Sequence, residues 1–470
     1  MSITLASRLR PPIVPLIVAV ALFMENLDSA VLSTSLPEIA RDLVTDPIHL
    51  KLVLTTYLLA LAVFIPASGW MADRFGARLV FRLAIAVFAL GSIACGLSQN
   101  LEQLVLARVL QGIGGSMMVP VGRLILLKTT PRPELVNALA WLTLPALIGP
   151  LAGPPLGGYI TTYWHWRWIF WINIPIAGLG MVFATIHIPD VREENPRQFD
   201  LKGFLLIGPG IAAFLTGVTL AGVGLTGAPL LAVLILGGAG LTLAYGRHAF
   251  RVEDPLIDLR LLRFATFRIG VVAGTVFRVG VGATPFLLPL MLQLGFGYTP
   301  FASGLLTFVT ALGAMSMKML AEPVLRRCGF RNVLMVNGLL AAGFTLAPGL
   351  FHPGQGWVAM ALVLYAGGLA RSLQFTSINA IGYAEVPSDK MSSATSFISV
   401  LQQLSGSVGI TIAAMCLEGL GWLRGIPATA LPNYLPTFGM LAVLALIAAA
   451  MFARLPEVAG RGLVRGDRAD

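Results

Sequence analysis

Charge is scarce in this chain. Of its 470 residues only 11% are charged, against about 25% in a soluble domain, while 56% are hydrophobic. That balance excludes an ordinary water-soluble protein and leaves one that crosses a membrane many times. Cysteine is scarce as well. Cys95, Cys328 and Cys416 stand far apart, with no CxxC and no zinc spacing, so neither a disulfide framework nor a cysteine metal site is implied. The five histidines (His49, His165, His187, His248, His352) are equally scattered, and no metal site is expected. None of the five lysines lies in a GxxxxGK[ST] sequence, which removes the phosphate loop on which ATP-driven work depends. Gly222-Val-Gly-Leu-Thr-Gly227 satisfies GxGxxG, but it sits at a turn between two apolar runs with no strand before it, and reads as a turn.

What the chain has is apolar runs of spanning length. They fall near 13–34, 50–70, 79–98, 102–127, 135–160, 167–188 and 201–222, then near 228–247, 266–292, 300–321, 332–351, 357–384, 393–417 and 434–453. The runs are continuous rather than alternating, which predicts about fourteen transmembrane helices in an all-α membrane protein and excludes a β-barrel. Arg8 and Arg10 before the first run imitate a signal peptide, but the run is too long and carries two acids, so it reads as an uncleaved first span.

The formal charge of +10 would suggest nucleic acid in a soluble protein. Here it is explained by loops. Arg74, Arg78, Arg82, Lys128, Arg132, Arg192, Arg197 and Lys202 fall on one side. Arg247, Arg251, Arg260, Arg263, Arg268, Arg326, Arg327 and Arg331 fall on the same side, as does a tail with Arg454, Arg461, Arg465 and Arg468. The other side holds Arg41, Lys51, Arg167 and Arg424. By the positive-inside rule both termini are cytoplasmic.

The chain also repeats. Arg74, Gly76 and Arg78 recur 253 residues later as Arg327, Gly329 and Arg331. This predicts a six-helix bundle over 1–190, linkers with two inserted helices over 191–263, and a second six-helix bundle over 264–470. Parallel repeats of this kind place a substrate site at their interface near the bilayer midplane. Inside the first span, Met24-Glu25-Asn26-Leu27-Asp28 puts two carboxylates three residues apart on one helix face. A carboxylate at that depth costs several kcal/mol unless it faces water or a partner, so these acids are expected to work.

Five motifs, in order, resemble the major facilitator superfamily. They are Leu27-Asp28…Leu36-Pro37, the loop Gly69…Asp73-Arg74…Gly76…Arg78, and Arg108-Val-Leu-Gln111-Gly112-Ile-Gly114. Then come Gly149-Pro-Leu-Ala-Gly153-Pro154-Pro-Leu-Gly157-Gly158 and Trp166-Arg-Trp-Ile-Phe170-Trp-Ile-Asn173-Ile-Pro175. Within that superfamily the chain resembles the fourteen-helix drug:proton antiporter branch and its MdtD-type multidrug transporters, which implies the cytoplasmic (inner) membrane. The resemblance implies a proton-coupled exporter of small organic compounds or drugs that works by alternating access and needs a proton gradient rather than a cofactor. It implies no enzyme activity and no nucleic acid, with a small molecule, protons and the lipid bilayer as partners of a monomer.

By that resemblance Arg108 helps to couple proton movement to the conformational change, with Asp28 and Glu25 as the groups that titrate. The loop of Gly69, Asp73, Arg74, Gly76 and Arg78 is expected to make charge-assisted contacts that latch one bundle to the other. In its second copy Glu322 and Arg326 replace the Gly69 and Asp73 equivalents, which leaves that copy without the pattern. The glycines of the helix 5 motif (Gly149, Gly153, Gly157, Gly158) let a facing helix approach closely, and Pro154 bends the span.

Arg278 falls opposite Glu25 in the repeat, so pairing of the two is one reading of both. Arg371-Ser-Leu-Gln374 echoes Arg108-Val-Leu-Gln111. The expected substrate cavity thus draws on Gln111, Arg278, Arg371, Gln374, Asn379 and Gln402, with Gln403 beside it. Three arginines against two acids keep open an organic anion or metal–carboxylate metabolite as substrate, and a non-transporting sensor of the same fold is the other alternative. Trp164, Trp166, Trp168 and Trp171 read as an interfacial belt.

Overall fold

In lipid an apolar segment finds no water for its N–H and C=O groups, so each run closes its hydrogen bonds within itself as a helix. The computed structural model describes residues 13–130, 135–193, 198–221, 227–387, 390–456 and 459–460, without the side chains of 135–137, 139–140 and 143–147. Arg8, Arg10, Arg132, Arg197, Arg461, Arg465, Arg468 and the run at 222–226 lie outside the described residues. Among the described residues there is no strand.

The first helices are α1 (Ile13–Asp42), α2 (Pro47–Phe75), α3 (Ala77–Leu97), α4 (Leu101–Thr129), α5 (Leu135–Tyr163) and α6 (Trp168–His187). An inserted pair follows, α7 (Leu201–Ala221) and α8 (Ala228–Ala249). The second set is α9 (Ala265–Gly295), α10 (Pro300–Cys328), α11 (Phe330–Leu350), α12 (Trp357–Gly382), α13 (Met391–Arg424) and α14 (Leu431–Phe452). Thirteen of these are long and apolar enough to cross a membrane, and α5, with 29 residues, makes fourteen. An even number of crossings returns the chain to the side on which it began.

Local signals set the ends. The Asn100 side chain accepts a hydrogen bond from the Gln103 N–H at 2.9 Å and starts α4, and Thr299 does the same for α10 ahead of Pro300. Gly76 and Gly329, the repeated glycines, stop α2 and α10 with φ of +95° and +74°, a region that favours glycine. The chain can therefore turn straight into α3 and α11. Helix α9 is broken at Ala283, restarts with Pro285 in its first turn and ends in a π turn over Met291–Gly295.

Packing repeats like the sequence. In the first bundle α1 packs on α5 and α6, α4 on α2 and α3, and α3 on α6. In the second, α9 packs on α13 and α14, α12 on α10 and α11, and α11 on α14. The bundles meet chiefly through two contacts that the repeat interchanges, α5 on α10 and α2 on α13, and α1 also touches α9 and α10. The inserted helices pack on each other, and α7 also lies against α2.

The buried apolar residues divide by depth. On the arginine-poor half, one cluster joins both bundles, from Leu32 and Val53 to Phe286, Leu306 and Leu417. On the arginine-rich half, the first bundle has its own core around Phe81, Phe88 and Val121, and the second has its own around Phe277, Leu334 and Phe452. A fourth cluster ties α7 and α8 to α9 and α13, with Ala62 of α2 in its buried set. The bundles are therefore zipped together on one half of the membrane and keep separate cores on the other.

The tryptophans correct one expectation. Trp164 and Trp168 are exposed, but Trp166 is buried and its Nε1 donates to Asp42 Oδ2 at 2.9 Å, where Arg167 also donates at 2.6 Å. Trp171 packs against Gly96. Trp166 anchors α6 to the end of α1 and is not part of a lipid-facing belt, because its indole N–H has found a carboxylate inside the fold.

Candidate functional site

Arg108 and Gln111 lie three residues apart on α4, so both side chains leave the same face of that helix. The face is turned to the centre of the first bundle, where both are fully buried. Arg108 Nη1 donates to Asp28 Oδ2 of α1 at 2.5 Å and to Gln111 Oε1 at 2.6 Å, and its Nε donates to the Val53 carbonyl of α2 at 3.3 Å. The other oxygen of Asp28 accepts from Gln111 Nε2 at 2.8 Å and from Asn173 Nδ2 of α6 at 2.9 Å. Both amides also donate to Ser92 Oγ of α3, at 2.7 and 3.1 Å. The guanidinium carbon stands 4.1 Å from the centre of the Tyr57 ring of α2. Five helices thus place their polar groups around one buried carboxylate. Its charge is matched by one guanidinium, as a buried charge requires.

Glu25 sits differently. Its Oε2 is buried and has no hydrogen-bond partner among the described residues. The residues of α1 that line the space between the bundles are Asn26, Ser29, Ala30 and Ser33. At about 100° per residue, Glu25 falls between that face and the face of Asp28. It stands at the border between the closed network and the central space.

That space is a cavity of about 260 Å³ between α1 and α5 on one side and α9, α10 and α12 on the other. Its walls include Pro150, Pro154, Thr284, Pro285, Thr307 and Thr310, so the break in α9 and the prolines of α5 both front on it. Irregular backbone at membrane depth is tolerated where it lines a cavity. Among the described residues Arg371 is the one charged residue in the lining.

Other residues expected in the cavity lie elsewhere. Gln111 belongs to the Asp28 network. Gln374 is fully buried in the second bundle, donating to the Leu334 carbonyl and accepting from Asn337 Nδ2, both at 2.9 Å. Arg278 does not pair with Glu25: it turns to α12, where Nη2 donates to Asn379 Oδ1 at 2.7 Å. The amide of its own bundle supplies the acceptor that the repeat would have sought across the interface. Gln402 is exposed on α13 and Gln403 half-buried, and neither lines the cavity.

The α2–α3 loop also differs from expectation. Asp73 Oδ1 lies 3.2 Å from Lys128 Nζ, which reaches Glu193 Oε2 at 2.9 Å. The Glu193 N–H donates to the Asp73 carbonyl, the Ala77 N–H to Val191, and Arg78 to the Ile188 carbonyl. Lys128 holds the exposed Glu193 carboxyl below the usual carboxylate range. Gly76 is closed over by Asp190 and Arg192, whereas Gly69 has open space, and Arg74 is exposed. These contacts tie α2 and α3 to α4 and the segment after α6, all within the first bundle. Among the described residues the loop's contacts stay in the first bundle and do not form the expected bundle-to-bundle latch, because the two cores are separate on that half. In the second copy Glu322 and Arg326 pair with each other at 2.8 Å.

The helix 5 motif does join the bundles. A Cβ on Gly149, Gly153 or Gly157 would run into α1, at Asn26, Ala30 and the Val31 carbonyl in turn. A Cβ on Gly158 would strike Pro300 and Phe301 of α10, and one on Gly304 of α10 would strike Pro154. Nearby, the Phe301 N–H donates to Thr162 Oγ1 at 3.1 Å, and Gln293 Nε2 of α9 donates to the Thr34 carbonyl of α1 at 2.8 Å. On the partner contact, α2 on α13, the fully buried Lys51 ammonium meets Glu418 at 3.2 Å.

Set beside known proteins, residues 18–410 match the model of the Major Facilitator Superfamily. The chain belongs to this superfamily. It is 41% identical over 457 residues to the putative multidrug resistance protein MdtD of Salmonella heidelberg (strain SL476), covering 95% of this chain and 96% of that one. The relative of the same name in Salmonella typhimurium (strain LT2) is 41% identical with the same coverage. Among solved structures, the D-xylose-proton symporter superposes with a TM-score of 0.67 at 14% identity, covering 95% of this chain and 98% of that one. A POT family transporter in complex with 5-aminolevulinic acid superposes with 0.70 at 16%, covering 93% and 94%. These two share the fold. This facilitator is a multi-pass membrane transporter and not an enzyme.

Sequence reading did not name Ser92, Tyr57, Lys51 or Glu418 as parts of the site, and it quoted Asn173 only within a motif. A single serine or asparagine in an apolar run gives no periodic signal. Lys51, beside Pro47 at the start of a span, reads as a loop charge until Glu418 is seen opposite it.

Proposed function

We propose that this facilitator is a proton-coupled exporter of small organic compounds that works by alternating access across the cytoplasmic membrane. The observation that carries this reading is the pairing of Asp28 with Arg108 in a closed polar network, with Glu25 unpaired one turn away at the edge of the inter-bundle cavity. A carboxylate that leaves a buried guanidinium must be protonated first, so proton uptake and bundle movement are linked. A ligand shifts such an equilibrium only by its differential affinity for the two states. The arginine-rich face is cytoplasmic, both termini lie there, and the zipped arginine-poor half makes this the cytoplasm-facing state. One chain supplies both bundles and the cavity, so the monomer is the working unit, driven by the proton gradient without a cofactor.

A second reading of the substrate rests on Arg371. A guanidinium in a cavity with no carboxylate among its described lining residues favours an organic anion or metal–carboxylate over a lipophilic cation. Proteoliposomes loaded with ethidium or with succinate, under an imposed pH gradient, test both. Gradient-stimulated movement of ethidium alone supports the drug reading, and that of succinate alone, lost in Arg371→Gln, supports the anion. Equal movement with and without the gradient refutes proton coupling.

A further inference from the structure

Tyr57 has no place in the mechanism so far, yet it is built into its centre. Its side chain is 1% exposed, and its hydroxyl is buried with no hydrogen-bond partner among the described residues. A buried O–H left unpaired costs about 1–3 kcal/mol, which a partner gained in another state would recover. The ring is fixed by the Arg108 guanidinium 4.1 Å above it. The sequence of α4 makes room for it. A Cβ on Gly112 would stand 2.9 Å from the Tyr57 carbonyl, and one on Gly115 would stand 3.0 Å from the Tyr57 hydroxyl.

That second contact gives the direction. Gly115 is two turns along α4 from Arg108, toward the arginine-rich half, and Glu25 is one turn from Asp28 toward the same half. The hydroxyl therefore lies against Gly115, on the arginine-rich side of Arg108 and on the side to which Glu25 is displaced from Asp28, and Glu25, Asp28 and Arg108 are its charged neighbours. Among the described residues four buried polar atoms around this ion pair lack a partner, namely the Tyr57 hydroxyl, Glu25 Oε2, Arg108 Nη2 and Asn173 Oδ1, and of these the hydroxyl can donate and the Glu25 oxygen can accept.

We propose that Tyr57 is a positioning residue for proton coupling: its hydroxyl donates to ionised Glu25 when α1 and α2 shift during the cycle. Because its ring carries Arg108, making that bond moves the guanidinium against Asp28. Tyr57 thereby links the acid at the cavity edge to the acid in the closed network. When Glu25 is protonated the bond is not required, and Arg108 returns to the arrangement described above.

The inference rests on the proton-coupled reading, and one experiment separates the two. Hydrogen–deuterium exchange of the purified full chain is followed from pH 5 to 9 at peptides covering the α9–α10 turn on the arginine-poor face. The groups facing Tyr57 and Glu25 are Asp28 on α1, Arg108 and Arg123 on α4, and Cys95 on α3 near Arg108. Wild type is expected to show a pH-dependent step that Glu25→Gln removes. Donation to a carboxylate favours its ionised form, so Tyr57→Phe, which keeps the ring, moves the midpoint up by about one pH unit. In Glu25→Gln/Tyr57→Phe no step remains to be moved. A wild-type trace without a step refutes proton coupling itself. A step present in wild type with an unmoved midpoint in Tyr57→Phe overturns the role of Tyr57 alone. Should Tyr57→Phe fold poorly, Gly115→Ala, which crowds the hydroxyl and leaves the ring, must move the midpoint in the same direction.

Discussion

A buried ion pair is costly to make and more costly to break on one side only. Asp28 and Arg108 are 3% and 0% exposed, and each relies on the other for its counter-charge. Arg108→Met should lower stability by about 3–5 kcal/mol, because it leaves a buried carboxylate uncompensated. The double variant Asp28→Leu/Arg108→Met should recover part of that loss. Thermal unfolding in detergent checks both, and a double variant less stable than the single one would show that the pair is not coupled. Asp28 and Arg108 were legible in the sequence because ionisable groups inside apolar runs stand out. Ser92 and Asn173, which complete the network, were not, since small polar residues have many uses in membrane helices. Arg278 was misplaced by the repeat: symmetry of sequence put it opposite Glu25, but the Asn379 amide in its own bundle satisfies it more directly.

At the scale of elements, the two contacts exchanged by the repeat do different chemistry. The α5–α10 contact is a close approach of backbones, set by Gly158 and Gly304. Gly158→Val should force α10 away and open the arginine-poor face. The α2–α13 contact holds an ion pair across the bundles, with Lys51 fully buried and Glu418 22% exposed at the side chain. Lys51→Glu should part this contact through like charge, and Lys51→Glu/Glu418→Lys should restore it. A cysteine placed at Ser33, on the cavity wall, reports both. Labelling by a membrane-impermeant thiol reagent from the arginine-poor side should rise in Gly158→Val and in Lys51→Glu, and fall again in the charge swap. A swap as open as the single variant would remove the lock from this account. The helix 5 glycines were legible as small residues at fourfold spacing, but spacing alone did not say which faced α1 and which α10. The loop after α2 was legible as a motif, yet its partners proved to be Lys128 and Glu193, because the half on which it lies is where the bundles part.

At the scale of the whole molecule, number and order of helices follow from apolar runs whose length the bilayer sets, so fourteen spans could be read before any contact was known. The repeat of packing could be anticipated as well, from glycines and arginines 253 residues apart. The state of the molecule could not. Which half is zipped depends on contacts such as Lys51 with Glu418 and Gln293 with Thr34, each of which involves residues that are unremarked in sequence. The central claim is that protonation of the acids of α1 drives the exchange between the zipped state and its opposite. The direct measurement is flux in proteoliposomes under an imposed pH gradient, using whichever of ethidium and succinate the wild type moves, with internal pH followed at the same time. Wild type should move the probe against protons, and Asp28→Asn/Glu25→Gln should lose both the gradient-driven flux and the matching pH change while remaining folded. Gradient-driven flux of equal rate in the wild type and the double variant would contradict the account.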